Sequence, residues 1–169
     1  MREYVTLAFV AALVTYLTTP LARRLAIRFR AMATVRDRDV HSIPTPRWGG
    51  AAILAGLAVA VFVAHHLPNL QSVFTHGDEM TAVLEAGALI CLIGLIDDRW
   101  GIDALTKFAG QVLAAGVLVL QGVQLLYIPV PGVGPVSLGP EYGVPITVLL
   151  IVVTINAVNF IDGLDGLAA

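Results

Sequence analysis

The chain has 169 residues, a hydrophobic fraction of 57% and a mean hydropathy of +0.84, and only 13% of its residues are charged. A soluble domain carries roughly a quarter charged residues, so too few polar side chains remain to cover a water-facing surface. The bilayer is therefore the predicted solvent. The net charge is -2, and apolar and acidic residues interrupt the basic run without an aromatic platform, which argues against nucleic-acid binding.

Five apolar stretches approach the roughly 20 residues that a membrane-spanning helix needs. Helices are predicted because a lone strand in lipid would leave its backbone groups unpaired. The predicted fold class is all-α, a multi-pass transmembrane helix bundle that forms a single membrane domain over residues 1–169. The stretches run from about Val5 to Ala22, from Trp48 to Ala64, from Met80 to Ile96, within the run Phe108 to Pro140, and from Val144 to Ile161.

The basic residues are segregated along the chain. Seven of the ten lie in the 25 residues from Arg23 to Arg47, Arg99 and Lys107 lie around a second short loop, and none follows Lys107. Since cationic loops stay in the cytoplasm, the loops Arg23–Arg47 and Asp97–Lys107 are predicted to be cytoplasmic. The amino terminus is then outside, and the carboxy-terminal end is cytoplasmic.

The segment Tyr127–Gly143 is placed outside by this topology, and it is rich in Pro and Gly. Its alternating Val, Ile and Pro residues predict a small hairpin with turns at Pro131-Gly132 and Gly139-Pro140.

The first polar motif is HSIPTPRWGG, from His41 to Gly50, on the first cytoplasmic loop. Its two prolines stiffen the backbone and prevent helix formation there. Arg47 is suited to bidentate pairing with a phosphate. The alternative is an interfacial loop whose arginine contacts lipid headgroups.

The second motif is LIDDRWGID, from Leu95 to Asp103, in which Asp97 and Asp98 end an apolar helix. The helix dipole disfavours carboxylates at this end, and the two repel each other. A divalent cation is the simplest compensation, because Mg²⁺ prefers one or two carboxylates plus substrate phosphates. A solvated turn that merely ends the helix is the alternative.

The third motif, NAVNFIDGLDGLAA, places two amides and two carboxylates at the end of the fifth stretch. Polar residues at that depth are costly and suggest function. Asp162 and Asp165 share one face if they are helical, whereas a polar cluster that caps the helix is the alternative. All three motifs are predicted to meet the cytoplasm, as transfer between a soluble anionic substrate and a lipid phosphate would require.

The segments PTPRWGG, LIDDRWGID and NAVNFIDGLDGLA resemble the signatures of the polyprenyl-phosphate N-acetylhexosamine-1-phosphate transferases, which form glycosyltransferase family 4. The bacterial undecaprenyl-phosphate GlcNAc-1-phosphate transferases are the more similar branch, and the translocase that makes lipid I is more distant. The resemblance implies a multi-pass enzyme of the bacterial inner membrane. It would move a sugar 1-phosphate from a UDP-sugar to polyprenyl phosphate, with Mg²⁺ or Mn²⁺, and release UMP. A homodimer is left open.

The resemblance also assigns roles to individual residues. Asp97 and Asp98 correspond to the catalytic aspartate pair, one of which would deprotonate the polyprenyl phosphate. A covalent aspartyl intermediate stays open. The residues implied to bind substrate or phosphate are His41, Arg47, Lys107, Asn156, Asn159 and Asp162, and those implied to hold the metal are Asp98, Asp162 and Asp165.

Two departures from the family pattern bear on these roles. Many relatives carry Arg-Lys before the loop histidine, but here Asp39 occupies the position of the lysine. The family bundle has about ten or eleven helices, so the chain is expected to correspond to its amino-terminal half. The family's later metal-binding aspartate and histidine-rich loop have no counterpart in these residues, and we expect the 169 residues alone to lack a complete site.

Three other functions compete with the transferase. A CDP-alcohol phosphotransferase is disfavoured because no Ala-Arg follows the first Asp-Gly. An ion-coupled transporter using Asp97, Asp98 and Glu85 should place its acidic residues near the membrane midplane, but here two of them lie at a span end. An inactive half-length homologue that serves as an assembly partner is the third.

Overall fold

A computed structural model of the chain describes residues 2–32, 46–71, 74, 79–132 and 134–161. A helix overlaps each of the five predicted apolar stretches, so the all-α fold class is confirmed. The helices are α1 (Arg2–Arg28), α2 (Gly49–His65), α3 (Glu79–Trp100), α4 (Ala104–Leu120) and α5 (Pro140–Ile161), with a 3-10 turn at Pro68–Leu70 and two strands, β1 (Tyr127–Val130) and β2 (Gly134–Ser137).

Three of these helices, α1, α3 and α5, are long and apolar enough to cross a membrane. The other two, α2 and α4, are apolar but have 17 residues each. Large apolar side chains point outward, including Leu120 (88% exposed) and Phe160 (84% exposed), while alanines dominate the buried positions. A surface of this kind suits lipid rather than water, and the chain is therefore a membrane protein.

Each helix packs on the next one along the chain. At one end of the bundle, Arg47, just before α2, lies near Asp98 at the end of α3, and Lys107 at the start of α4 lies near Asp97. This end, which we call the site end, collects the end of α1, the start of α2, the end of α3, the start of α4 and the end of α5.

At the opposite end of the bundle, the described residues include two polar pairs that join neighbouring helices. The side chain of Asn69, just after α2, donates a hydrogen bond to Glu3 at the start of α1. The side chain of Gln121, just after α4, donates one to Glu85 near the start of α3. Consecutive helices are therefore antiparallel.

Small residues allow α2 to lie close against α1. The buried positions of α2 repeat every fourth residue, at Ala52, Gly56, Ala60 and Ala64, and thus form one stripe. A Cβ on Gly56 would lie only 2.6 Å from the carbonyl oxygen of Ala11. Small residues at such spacing let helix backbones approach each other in membranes, where van der Waals packing drives association.

Two helices continue beyond the predicted ends of their spans. The first does not end at Ala22 but continues to Arg28, and α3 continues past Ile96 to Trp100. Long basic side chains can reach water while their stems cover apolar surface, so they need not end a helix. Asp97 and Asp98 therefore belong to the last turn of α3, and the connection to α4 is much shorter than the predicted loop Asp97–Lys107.

The predicted hairpin is confirmed, with Tyr127 opposite Ser137 and Val130 opposite Gly134. Its turn contains Gly132, whose φ of +83° suits a glycine. The second predicted turn, at Gly139-Pro140, is wrong, because α5 already begins at Pro140. Proline is favourable at the first helical position, where its missing N–H would have no partner in the helix.

Candidate active site

The site end is built around a sharp reversal between α3 and α4. Gly101 has a φ of +67°, and its N–H donates to the carbonyl oxygen of Asp97 at 2.8 Å. Two residues later, Asp103 caps α4 by accepting hydrogen bonds from the N–H groups of Leu105 and Thr106, each at 3.0 Å. This reversal brings the start of α4 beside the last turn of α3.

The carboxylate of Asp97 is already bound within the protein. One oxygen accepts a hydrogen bond from the N–H of Ile102 at 3.0 Å, and the other lies 2.6 Å from Nζ of Lys107. A charge-assisted contact of this length is among the stronger hydrogen bonds. Asp97 therefore fixes the reversal and holds Lys107 in place.

The carboxylate of Asp98 is arranged differently. Its nearest cationic partner in the described part of the chain is Arg47, whose Nη1 lies 3.9 Å from Oδ1. That distance is too long for a hydrogen bond, although the two charges still attract each other. The Asp98 side chain is 21% exposed and that of Arg47 is 43% exposed. Among the described residues, neither group has a closer charged partner, so a further ligand could bind between them.

Contacts between the two ends of the connection from α1 to α2 hold Arg47 in place. The N–H of Arg47 donates to the carbonyl oxygen of Ala31, just after α1, at 3.3 Å. The ring of Trp48 stacks on Phe29, with 5.5 Å between the ring centroids. Arg47 is therefore anchored to the end of α1 as well as to the start of α2.

An apolar groove of about 370 Å³ runs between α2 and α3 and reaches the Arg47 and Asp98 side chains. Its lining includes Leu57, Ile90 and Leu95. The groove therefore has an apolar lining suited to a hydrocarbon chain and ends at the oppositely charged side chains of Arg47 and Asp98.

The first residues of the third motif, Asn156 to Ile161, form the end of α5. The side chain of Asn156 donates to Oε1 of Gln111 on α4 at 2.6 Å and to the carbonyl oxygen of Val152 at 2.8 Å. Asn159 is exposed. His41, Asp162 and Asp165, which were predicted to bind substrate or metal, lie outside the described residues.

The structure thus brings four predicted site residues together at one end of the bundle, namely Arg47, Asp97, Asp98 and Lys107. Two polar residues with clear structural roles were missed from the sequence. Asp103 could have been found as an Asp before a helical run, which is a capping signal. Gln111 gave no such signal, because its partner lies on another helix.

Hydrogen bonds lower the pKa of Asp103 below its usual value. The largest contribution comes from the hydroxyl of Thr106, which donates to the carboxylate at 2.5 Å, and the N–H groups of Thr106 and Leu105 add to it. The carboxylate form is favoured because these donors bind it at the positive end of α4.

The donor set at the site end fits a hard divalent cation in part. Among residues 2–32, 46–71, 74, 79–132 and 134–161, no group of three or more His, Cys, Asp or Glu side chains is placed to hold a metal ion. Mg²⁺, however, commonly binds through one or two carboxylates and completes its shell with water and substrate phosphates. The Asp98 carboxylate offers one such ligand, whereas Asp97 is committed to Lys107.

Comparison with known proteins identifies the family and several relatives of the chain. The family model described as glycosyl transferase family 4 matches residues 80–169. The decaprenyl-phosphate N-acetylglucosaminephosphotransferase of Mycolicibacterium smegmatis is 54% identical over 100% of this chain and 42% of its own length. The probable undecaprenyl-phosphate N-acetylglucosaminyl 1-phosphate transferase of Bacillus subtilis is 34% identical over 98% of this chain and 44% of its own length.

A phospho-N-acetylmuramoyl-pentapeptide-transferase of Mycobacteroides abscessus is also similar, at 32% identity over 99% of this chain and 53% of the relative. The chain therefore spans about half the length, or less, of the curated relatives it matches. No solved structure matches the chain significantly.

Proposed function

Because this chain belongs to glycosyl transferase family 4, we propose that it takes part in the transfer of a sugar 1-phosphate from a UDP-sugar to polyprenyl phosphate, with release of UMP. N-acetylglucosamine 1-phosphate is the proposed group, since the names of two relatives specify an N-acetylglucosamine phosphotransferase and an N-acetylglucosaminyl 1-phosphate transferase. The proposed place is the cytoplasmic face of a bacterial inner membrane, which the chain crosses several times.

One observation carries the proposal. At the end of a membrane helix, Asp98 and Arg47 stand 3.9 Å apart without a hydrogen bond between them, beside the Asp97–Lys107 pair. Transfer of a phosphoryl group depends mainly on positioning and on neutralising phosphate charge. Arg47 supplies a guanidinium group suited to phosphate oxygens, and Asp98 supplies a carboxylate that can accept a proton or bind a cation.

The groove between α2 and α3 supports a lipid-linked acceptor. Polyprenyl phosphate has a hydrocarbon chain and an anionic head, and the groove has an apolar lining with Arg47 at its charged end. In the proposed arrangement the acceptor phosphate lies near Arg47, and its chain follows the apolar lining toward the membrane interior.

We assign the acidic residues distinct roles in the reaction. Asp98 removes the proton from the polyprenyl phosphate, and the freed oxygen attacks the β-phosphorus of the UDP-sugar. The bond from that phosphorus to the bridging oxygen breaks, and UMP leaves with that oxygen. Lys107, oriented by Asp97, adds positive charge near the phosphates.

Mg²⁺ or Mn²⁺ is part of the proposal. Asp98 would hold the ion with substrate phosphates, and Asp162 and Asp165 are proposed as further ligands. When bound, such an ion neutralises phosphate charge and orients the diphosphate.

An ion-coupled transporter is a poorer account of the same residues. Glu85, which such a pathway would need, binds Gln121 at the end of the bundle opposite Asp97 and Asp98. The three acidic residues therefore do not lie together.

The leaving group provides the test. Membranes that contain the full-length protein are given a UDP-GlcNAc labelled in the β-phosphate, polyprenyl phosphate and Mg²⁺. The proposal predicts that the label moves to the lipid and that unlabelled UMP is released. Release of labelled UDP would show transfer of the sugar alone, and it would overturn the proposal. Heat-inactivated membranes serve as the control.

A further inference from the structure

A partly buried amide pair joins α4 to α5 next to the site end. The side chain of Gln111 is 9% exposed and its Oε1 accepts a hydrogen bond from Nδ2 of Asn156 at 2.6 Å. Both residues lie within apolar helices, where a polar side chain needs a partner because water is absent. The pair is therefore a specific polar contact between α4 and α5.

The hydrogen bonds of Asn156 leave its amide nitrogen no free donor. An asparagine amide nitrogen carries two N–H groups, and here one meets Gln111 while the other meets the carbonyl oxygen of Val152 at 2.8 Å. The remaining group, Oδ1, is an acceptor, and an acceptor does not bind a phosphate oxygen. Asn156 is therefore poorly placed to be the phosphate ligand that the family resemblance implied.

The position of the pair links the second motif to the third. Gln111 lies four residues after Lys107 on α4, which is about one helical turn, and Lys107 holds Asp97 at 2.6 Å. Asn156 lies three residues before Asn159 on α5 and opens the third motif. A shift of α5 along its axis by one residue, about 1.5 Å, would be enough to separate the two amides.

We propose that Gln111 and Asn156 are positioning residues that fix the end of α5, where the third motif begins, against the Asp97–Lys107 pair on α3 and α4. The pair acts on the reaction only through the residues it aligns, and neither amide contacts a substrate. The kinetic part of this proposal rests on the proposed function, whereas the coupling between the two amides does not.

The test uses the full-length protein in membranes and four sets of substitutions. Gln111→Leu and Asn156→Leu each break the pair, the double variant replaces both amides by apolar groups, and Gln111→Asn with Asn156→Gln exchanges the two side chains while keeping the total length. Gln121→Leu is the matched control, because it breaks the polar pair of Gln121 and Glu85 at the opposite end of the bundle.

A positioning role predicts a particular kinetic pattern. Each single leucine variant lowers kcat about ten- to a hundredfold, as expected for a misplacement of about 1 Å, while KM for the UDP-sugar stays unchanged. The double variant is no slower than the single variants, the exchanged pair recovers most of the activity, and Gln121→Leu retains the wild-type kcat. A rise in KM in Asn156→Leu that is absent from Gln111→Leu would overturn the proposal, because it would show that Asn156 contacts the substrate.

Thermal unfolding of the same purified variants tests the contact without any assay of transfer. Each single variant is expected to lower Tm, and the loss in the double variant is expected to be smaller than the sum of the two, because no unpaired amide then remains buried. Losses that simply add would overturn the proposal, even if the protein transfers sugar phosphate. If the wild-type protein transfers no sugar phosphate, the proposed function fails. The comparison of Tm among the single and double variants still decides whether Gln111 and Asn156 are coupled.

Discussion

The two neighbouring aspartates at the end of α3 have the same chemistry but different surroundings. Asp97 binds Lys107 and the N–H of Ile102, whereas Asp98 has only a distant guanidinium as its charged partner among the described residues. Adjacent residues on a helix point about 100° apart, so the reversal into α4 can reach one of them and leave the other exposed to the groove. This difference suggests that the Asp97 carboxylate has a structural role and that the Asp98 carboxylate is the reactive one.

The Asp97–Lys107 pair should therefore stabilise the fold measurably. Asp97→Asn and Lys107→Met should each lower Tm, and a double-mutant cycle should give a coupling of about 1 kcal/mol, as expected for a partly exposed pair. The matched cycle is Asp98→Asn with Arg47→Met, for which the longer distance predicts a smaller coupling. Equal coupling in the two cycles, measured by thermal unfolding, would refute this assignment of roles.

The lowered pKa of Asp103, the residue that caps α4, makes the stability of the folded protein depend on pH. The pKa of this residue is lowered in the folded state by the Thr106 hydroxyl and by backbone N–H groups, so the folded state binds its proton less readily than the unfolded chain does. The stabilisation is therefore present above the unfolded pKa of about 4 and is lost as the pH falls through the lower folded value.

This prediction is checked by comparing Tm for the wild-type protein and Asp103→Asn. Asparagine keeps the capping acceptor but does not titrate. The wild type should be the more stable protein at neutral pH, and the difference should shrink as the pH falls below about 4. A difference that stays constant across this range would contradict the role assigned to the carboxylate.

At the level of the helices, close packing of α1 on α2 depends on Gly56. A Cβ there would clash with Oγ1 of Thr15 and would lie 2.6 Å from the carbonyl oxygen of Ala11. The second neighbour is backbone and cannot rotate away, so Gly56→Ala should destabilise the protein by about 1–3 kcal/mol.

Gly116→Ala is the matched control for this prediction. Among the described residues, no heavy atom outside the local backbone of α4 lies within 4 Å of a Cβ built on Gly116. Alanine there should therefore be neutral or should stabilise α4 by up to about 1 kcal/mol. Thermal unfolding in detergent measures both variants. An equal effect of the two substitutions would show that the contact between α1 and α2 is not close.

The helices themselves were predictable from the sequence because apolar runs of the right length have few alternatives in a bilayer. Their ends were less predictable, since Arg28 and Asp98 look like loop residues but remain helical. The pairing of Asn156 with Gln111 could not be foreseen, because an amide in an apolar run has a partner whose identity depends on how the helices pack. Arg47, Asp97, Asp98 and Lys107 could be placed together because the segregation of charge assigns them to one membrane face.

For the molecule as a whole, the alternation of helices places the site end and the β1–β2 hairpin at opposite ends of the bundle. The segregation of basic residues predicts that the site end faces the cytoplasm. Single cysteines at Ile102 and Ser137, introduced with Cys91→Ala, test this arrangement. A membrane-impermeant maleimide should label Ser137→Cys in intact cells and Ile102→Cys only after permeabilisation. Labelling of both positions from the same side would contradict the topology.

The most direct test of the account is the dependence of UMP release on Asp98 and on the metal ion. Full-length wild-type protein, Asp98→Asn and Asp97→Asn are assayed in membranes with UDP-GlcNAc, polyprenyl phosphate and increasing Mg²⁺. We expect EDTA to abolish release by the wild type and Asp98→Asn to lower it at least about a hundredfold at every Mg²⁺ concentration, with a smaller loss in Asp97→Asn. UMP release that persists both in EDTA and in Asp98→Asn would contradict the account.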